Sequence, residues 1–238
     1  MNFTADLHTH SLVCGHGFST VTEVIRTAAD RGLQAVALTE HGPGYPGSVG
    51  DAYFNTYRDI PSEMFGIGVL KGCEANIMSF SGELDLSEAR REKLDIVIAS
   101  CHKECTPAGN KEQNTEMYIR AIKNPYVDII GHPDAPLYPI DIEQVVRAAV
   151  EYDVALEINN SSPAARPGSQ GMCAEIIRCA KRFNAKLAVG SDAHFHLVVG
   201  RFDYAYKMIT QYGYPVEQVI NYSIDQVNSH LRRNRQRP

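Results

Sequence analysis

The chain alternates, from its first residues to its last, between short apolar runs and patterns typical of amphipathic helices. The apolar runs cover residues 3–8, 33–38, 67–74, 94–100, 126–131, 154–158 and 186–190. Helical patterns separate most of them, at residues 21–29, 114–123, 141–152, 171–183, 203–212 and 223–232. Seven strands joined in this way predict a parallel sheet with right-handed connections. The periodicity leaves open whether the sheet closes into a barrel or stays open and doubly wound.

Local signals predict where some of these elements begin and end. Thr20 and Glu23 have the spacing of a capping box at the start of the first helix, and Gly32 is placed to end it. Asp141 is expected to cap a later helix. The stretch 42–64 is predicted to be rich in loops, because Gly and Pro are dense at its start.

The length of 238 residues suits one large α/β domain, residues 1–238, with a basic, solvated tail at about 229–238. A hydrophobic share of 44% excludes disordered and fibrous chains. The net charge of −5 argues against sequence-independent binding of nucleic acid, which needs a basic surface. The charge does not exclude a nucleotide substrate.

The sequence also predicts the cellular compartment of the protein. No apolar run approaches the roughly 18 residues of a membrane span, and residues 1–10 lack a signal-peptide pattern. The six cysteines are scattered through the chain, which favours a reducing compartment over a disulfide framework. We therefore expect a cytoplasmic protein without a membrane partner.

Every predicted strand ends in side chains that can bind a metal ion or form hydrogen bonds. They are His8, His10 and His16 for the first strand, His41 for the second, Glu74 for the third, His102 for the fourth, His132 for the fifth, Glu157 and Asn159 for the sixth, and Asp192 and His194 for the seventh. Active sites of barrels and open α/β sheets lie at the carboxyl ends of the strands. These side chains are therefore expected to converge.

Two pairs with a spacing of two residues support a metal centre. His8 and His10 point to one side of their strand, and so do Asp192 and His194. If the sheet closes, the first and last strands are neighbours and the two pairs meet. Imidazoles with few carboxylates suit Zn²⁺, Mn²⁺ or Fe rather than Ca²⁺. Nine candidate ligands exceed the needs of one tetrahedral ion, so two or three ions are expected.

These residues fall in motifs that resemble those of a known family. The motifs are residues 6–11 (DLHTHS), 39–43 (TEHGP), 72–77 (GCEANI), 131–133 (GHP), 156–162 (LEINNSS) and 190–194 (GSDAH). From residue 6 to about 225 the chain resembles the PHP (polymerase and histidinol phosphatase) superfamily, and most closely its YcdX-type phosphatases. The resemblance implies a distorted (βα)₇ barrel with a trinuclear metal centre at the C-terminal ends of the strands.

The resemblance also implies how the ligands are shared. One ion would be held by His8, His10, Glu74 and Asp192, the second by Glu74, His102 and His132, and the third by His16, His41 and His194. Zn²⁺ is the expected metal, with Mn²⁺ and Fe²⁺ as alternatives.

Charge then suggests a reaction. Three divalent ions would change the net charge of −5 to about +1 and focus positive charge at one mouth. A small phosphorylated metabolite would be attracted there, and a metal-bound hydroxide could attack its phosphorus. Arg166 is the expected phosphate clamp, because a guanidinium binds phosphate in a bidentate manner. Asp192 and His194 complete the predicted catalytic set, while Lys103 and Arg201 are weaker candidates for phosphate contacts.

Other functions remain open at this stage. They are a nuclease or nucleotide phosphatase, an amidohydrolase-like enzyme, and a metal-binding regulatory module without catalysis. The sequence shows no candidate for the bridging lysine of the amidohydrolases. His196 is expected at the rim of the site and His230 on the surface of the last helix. The physiological substrate, the native metal and the oligomeric state stay open, and a homo-oligomer is compatible with the sequence.

Overall fold

A computed structural model describes residues 3–234 of the chain. Eight strands form its sheet: β1 (Ala5–Asp6), β2 (Ala35–Leu38), β3 (Glu63–Met64), β4 (Ile67–Asn76), β5 (Ile96–Ser100), β6 (Ile129–Ile130), β7 (Ala155–Asn159) and β8 (Leu187–Gly190). Seven of them are parallel neighbours in the order β1-β2-β4-β5-β6-β7-β8, and β3 lies off this path and pairs antiparallel with the start of β4. The seven predicted strands are all present, and the short β3–β4 hairpin is an addition.

Within residues 3–234, eight α-helices connect and flank the strands. They are α1 (Val21–Asp30), α2 (Glu88–Arg91), α3 (Lys111–Ile122), α4 (Ile142–Glu151), α5 (Ser162–Ala165), α6 (Gln170–Phe183), α7 (Asp203–Gln211) and α8 (Ile224–Asn234). The predicted capping box of Thr20 and Glu23 is present at α1, and the Asp141 side chain accepts a hydrogen bond from the backbone of Gln144 at α4. None of the helices within residues 3–234 is long and apolar enough to cross a bilayer.

The differences from the predicted boundaries have local causes. The first strand, predicted at 3–8, is a ladder of two residues, because the backbone beyond Asp6 bonds to loops such as that of Asp192. The helix predicted at 114–123 begins three residues earlier, because Asn110 and Gln113 form a capping box. The predicted loop 42–64 contains a 3₁₀ helix, Asp51–Asp59.

The sheet closes into a barrel that is held together differently at its two ends. Near the carboxyl end, the backbone of Thr9 bridges to Ala193, and Asp192 N donates to the carbonyl of His8 at 2.9 Å. Further from the carboxyl end, the buried Asn221 side chain lies between β1 and β8. It forms hydrogen bonds with the carbonyl of Ala5 and with both backbone groups of Val189. A side chain therefore replaces part of a strand ladder between β1 and β8.

The inner face of the barrel is apolar over much of its length and becomes polar at the carboxyl ends of β5 and β7. One buried cluster combines alternate strand residues with the last helix: Ala5, Leu7, Ala35, Ala37, Ile96, Ile98, Ile129, Ala155, Ala188, Ile220, Val227 and Leu231. In β7, Ala155 of this cluster is followed on the same face by Glu157 and Asn159. Helix α8 thus packs against the apolar half of the interior, and the polar half is left for the site.

Helix α8 explains two differences between the predicted and the observed C-terminal region. His230, expected on the surface, is buried, and one of its ring nitrogens lies 3.0 Å from the carbonyl oxygen of Asp128. The surface assignment was wrong because the helix packs on the barrel rather than projecting from it. The predicted tail at 229–238 begins inside this helix, and its residues 235–238 lie outside the described part of the chain.

Candidate metal centre

Glu74, near the end of β4, lies among five imidazole rings at the carboxyl end of the barrel. Its Oε2 lies 3.3 Å from His8 Nε2, 3.4 Å from His10 Nε2 and 2.7 Å from His41 Nδ1, and its Oε1 lies 3.3 Å from His102 Nε2 and 2.9 Å from His132 Nε2. Glu74 is buried on the inner face of the sheet. The rings therefore meet around one carboxylate, although 124 positions separate His8 from His132 in the chain.

Asp192 provides a second carboxylate on the same cluster. Its Oδ1 lies 3.4 Å from His10 Nε2, 3.8 Å from His8 Nε2 and 3.7 Å from His194 Nδ1. Asp192 has a φ of 55° and His132 a φ of 31°, values that non-glycine residues seldom adopt. Both residues stand two positions beyond the end of their strand. Such backbone strain is concentrated at functional sites, where the surrounding structure holds it in place.

The charges in the cluster are strongly coupled. Burial alone would raise the pKa of Glu74, but the neighbouring imidazoles, His8 most strongly, outweigh it and hold that pKa well below its usual value. Burial and the charge of His10 lower the pKa of His41 to about 3, and burial and Arg166 lower the pKa of His132 to about 4. Both rings are therefore neutral near pH 7, the form in which imidazole binds metals.

The described residues fit metal ions at this place. Although three imidazole nitrogens surround Glu74 Oε2, that oxygen has no hydrogen-bond partner within residues 3–234. His132 Nδ1 and His194 Nε2 are likewise buried and unpaired in that range. Polar atoms so deeply buried normally have partners, and divalent cations would provide them.

Three groups of ligand atoms, each within 4.8 Å of one another, subdivide the cluster. They are His8, His10 and Glu74; His41, Glu74 and His102; and His16, His41 and His194. The third is the same as a set implied by the family resemblance, and the first contains three of the four members of another, without Asp192. In the second, His41 stands where His132 was expected, while His132 contacts the same Glu74 oxygen as His102. The structure thus brings all nine predicted ligands to one cluster, with His16 exposed at its outer edge.

Polar residues behind the cluster orient the ligands. Glu157 accepts a hydrogen bond from His8 Nδ1 at 2.8 Å and another from the backbone of His132, also at 2.8 Å. Asn159 donates to Glu157 and to Asp192, so it fixes both carboxylates. A Cβ at Gly190 would collide with Glu157 and His8, which explains the glycine there. The sequence motif contained Glu157 and Asn159, but their spacing alone did not distinguish a ligand from an orienting partner.

Cys14 is a site residue that the sequence-based prediction did not include. Its sulfur forms a further group within 4.8 Å with ligand atoms of His10 and His194. Burial alone would raise the pKa of this thiol, but the neighbouring imidazoles of His10, His16 and His194 lower it to about 3. Its position between His10 and His16 in the same loop was the available signal.

The other polar candidates occupy different positions. Arg166 is half-buried after α5, and its Nη2 lies 3.3 Å from Asp192 Oδ2, so it reaches the edge of the cluster. Lys103 is exposed and lies 3.7 Å from Glu104, and Arg201 is also exposed. His196 lies outside the ligand groups, and its ring nitrogen is 2.9 Å from the Ser19 hydroxyl.

Comparisons with known proteins agree with this geometry. The model of the PHP domain family matches residues 6–161. A probable phosphatase of Caldanaerobacter subterraneus is 48% identical over 239 residues, covering 100% of this chain and 94% of the relative. A probable phosphatase of Acetivibrio thermocellus is 41% identical over 237 residues, covering 100% of this chain and 98% of the relative.

A solved structure shares the fold. It is the histidinol phosphate phosphatase of Lactococcus lactis in complex with zinc, L-histidinol and phosphate, with a TM-score of 0.61 and 17% identity, covering 89% of this chain and 94% of that one. The chain belongs to the PHP family. The predicted TIM-like barrel is confirmed, and the names of the relatives agree with the expected phosphoric ester hydrolase.

Proposed function

We propose that this protein is a metal-dependent phosphomonoesterase that hydrolyses a small phosphorylated metabolite at a trinuclear centre. The observation that carries the proposal is Glu74, whose two oxygens face different sets of imidazoles. Glu74 could therefore be shared by two cations, and a pair of cations would supply charge stabilisation for the attacking and leaving oxygens of a phosphoryl transfer.

The proposed ligands divide among three ions. The first set is His8, His10, Glu74 and Asp192; the second is Glu74, His102 and His132; the third is His16, His41 and His194. Bound divalent ions would supply an activated water and neutralise charge on the phosphoryl group. Zn²⁺ is the proposed metal because the ligands are mainly imidazoles, which Zn²⁺ binds well.

The side chains of the chain itself bind and orient the substrate. Arg166 reaches the rim of the cluster, and its guanidinium can bind a phosphate oxygen that the ligand groups leave exposed. Its contact with Asp192 fixes its position before substrate arrives. Glu157 holds His8 in one ring orientation, so the ligands need little rearrangement on binding. The chain is further proposed to act in the cytoplasm.

The proposal is tested with metal-loaded protein and a generic pair of aryl phosphates, one a monoester and one a diester. We expect the monoester to be hydrolysed faster, because a diester presents one ionisable oxygen fewer to the cations. Asp192→Asn should reduce turnover by about 100-fold or more, since loss of even an outer partner of a ligand costs about 10–100-fold.

The matched control is Asp59→Asn, at an exposed aspartate that belongs to none of the ligand groups. It should retain wild-type turnover, and circular dichroism should show both variants folded. Full activity in Asp192→Asn would contradict the proposal, and preferential cleavage of diesters or of short oligonucleotides would favour a nuclease instead.

A further inference from the structure

The cavity above the metal centre has a polar floor and an apolar wall. Its volume is about 790 Å³. His16, His41, His102, Asp192 and His194 contribute to its lining, on the side of the ligand groups. Phe18, Leu137 and Phe195 also line it, and all three are exposed to solvent. We refer to these three side chains as the apolar rim.

The apolar rim is assembled from three separate connections. Phe18 lies in the β1–α1 loop, Leu137 in the β6–α4 loop and Phe195 just after β8. Phe18 is held beside the site, because its backbone N donates to the carbonyl of His194 at 2.8 Å. Phe18 is 79% exposed, although a ring of that size is normally covered. Exposed apolar surface that is continuous with a polar site is typical of ligand binding.

The charges of the cavity restrict what the rim can accept. Lys103 and Arg166 are the lysine and arginine of the described lining. Arg166 is assigned to the phosphate at the metal centre, and the charge of Lys103 is offset by Glu104 at 3.7 Å. A leaving group with a second phosphate or a carboxylate would therefore find no further arginine and little net positive charge in that lining. A neutral ring would instead cover the exposed surface of Phe18 and Phe195, and such contacts favour aromatic pairs.

We propose that the apolar rim binds the leaving group of the substrate, and that the substrate is a monophosphate ester of an apolar, ring-containing alcohol. This inference rests on the proposed function, because the phosphate must sit at the metal centre for the rest of the molecule to reach the rim. The specificity of the enzyme then comes from Phe18 and Phe195, whereas the ligand cluster recognises the phosphate shared by all candidates.

Binding of two phosphonates to the metal-loaded protein, measured by calorimetry, tests this inference. 2-Phenylethylphosphonate and ethylphosphonate have similar acid groups, because the ring is two carbons away from the phosphorus, and neither can be hydrolysed. We expect the phenyl compound to bind about tenfold more tightly, which corresponds to about 1.4 kcal/mol. Phe18→Ala and Phe195→Ala should each reduce this preference to about twofold, as expected when apolar contact area is lost.

Phe65→Ala is the matched control. Phe65 lies in the turn between β3 and β4 and is 41% exposed, as is Phe195, but it does not line the cavity. This variant should keep the tenfold preference. Equal binding of the two phosphonates by the wild type would overturn the inference and leave the proposed function standing. Binding of neither would contradict the proposed function itself. A dimer in solution that Phe18→Ala dissociates would assign the rim to a second copy and also overturn the inference.

Discussion

Five imidazole rings and one carboxylate share a small buried volume around Glu74. The ring nitrogens approach its oxygens to between 2.7 and 3.4 Å, and burial lowers the pKa of His41 to about 3, so this ring is neutral near pH 7. Metal ions would fit between these atoms, because each nitrogen and oxygen could then direct a lone pair at a cation. The direction of each lone pair then depends on the residues that hydrogen-bond to the ligands from behind.

Replacement of Glu157 by glutamine should weaken metal binding. The amide keeps the size of the side chain but loses the negative charge that faces His8 and supports its role as a ligand. We expect metal affinity to fall by about 10–100-fold, measured by competition with a chelator. The control is Glu151→Gln, an exposed glutamate at the end of α4. Unchanged affinity in Glu157→Gln would show that His8 needs no such partner.

Arg166→Lys tests the phosphate clamp. Lysine retains a positive charge near Asp192 but loses the planar group that binds two phosphate oxygens at once. The KM for a phosphate monoester should rise about tenfold with a smaller effect on kcat. Arg178→Lys, at an exposed position in α6, should leave both constants unchanged. If Arg166→Lys lowers kcat alone, the side chain acts on the reaction rather than on binding.

Single residues could be predicted from the sequence where their chemistry is local. His8 and His10 have a spacing that is informative on one strand, and each strand end carries a recognisable ligand type. The orienting role of Glu157 and the contact of Cys14 with His194 could not be predicted in the same way, because each depends on which residue of another loop lies opposite.

Among the secondary-structure elements, the strands determine where the apolar interior of the barrel ends and the polar site begins. In β5 and β7 the inward residues change from apolar to polar toward the carboxyl end, so the same alternation builds the core and presents the ligands. The alternation was visible in the sequence. The closure between β1 and β8 was not, because it depends on Asn221, which is 216 positions away from Ala5. Periodicity describes strands individually and carries no information about such a distant partner.

Asn221→Ala should destabilise the barrel. It would remove three hydrogen bonds and leave the backbone groups of Ala5 and Val189 buried without partners. We expect the free energy of unfolding to fall by about 3 kcal/mol, measured by urea denaturation of the metal-free protein. Asn55→Ala, at a half-buried surface position with one bond to Arg90, should cost well under half as much. A similar decrease in the free energy of unfolding in both variants would show that Asn221 has no special role in closing the barrel.

At the scale of the whole molecule, metal binding and stability should be linked. Elements from β1 to β8 contribute ligands, so ions at the centre would hold the entire barrel together and favour the folded state by mass action. Chelation should therefore lower the Tm by about 10 °C, and added Zn²⁺ should restore it. In Glu74→Gln the Tm should depend little on chelator. If chelator leaves the Tm of the wild type unchanged, the cluster is held together by protein contacts alone.

A count of metal ions per chain tests the proposed trinuclear centre. The protein is loaded with Zn²⁺, desalted and analysed for metal per chain, while hydrolysis of an aryl phosphate is followed on the same samples. We expect about three ions per chain and a turnover that rises with occupancy. A desalted chain that holds no metal and still hydrolyses the monoester at the full rate would contradict it.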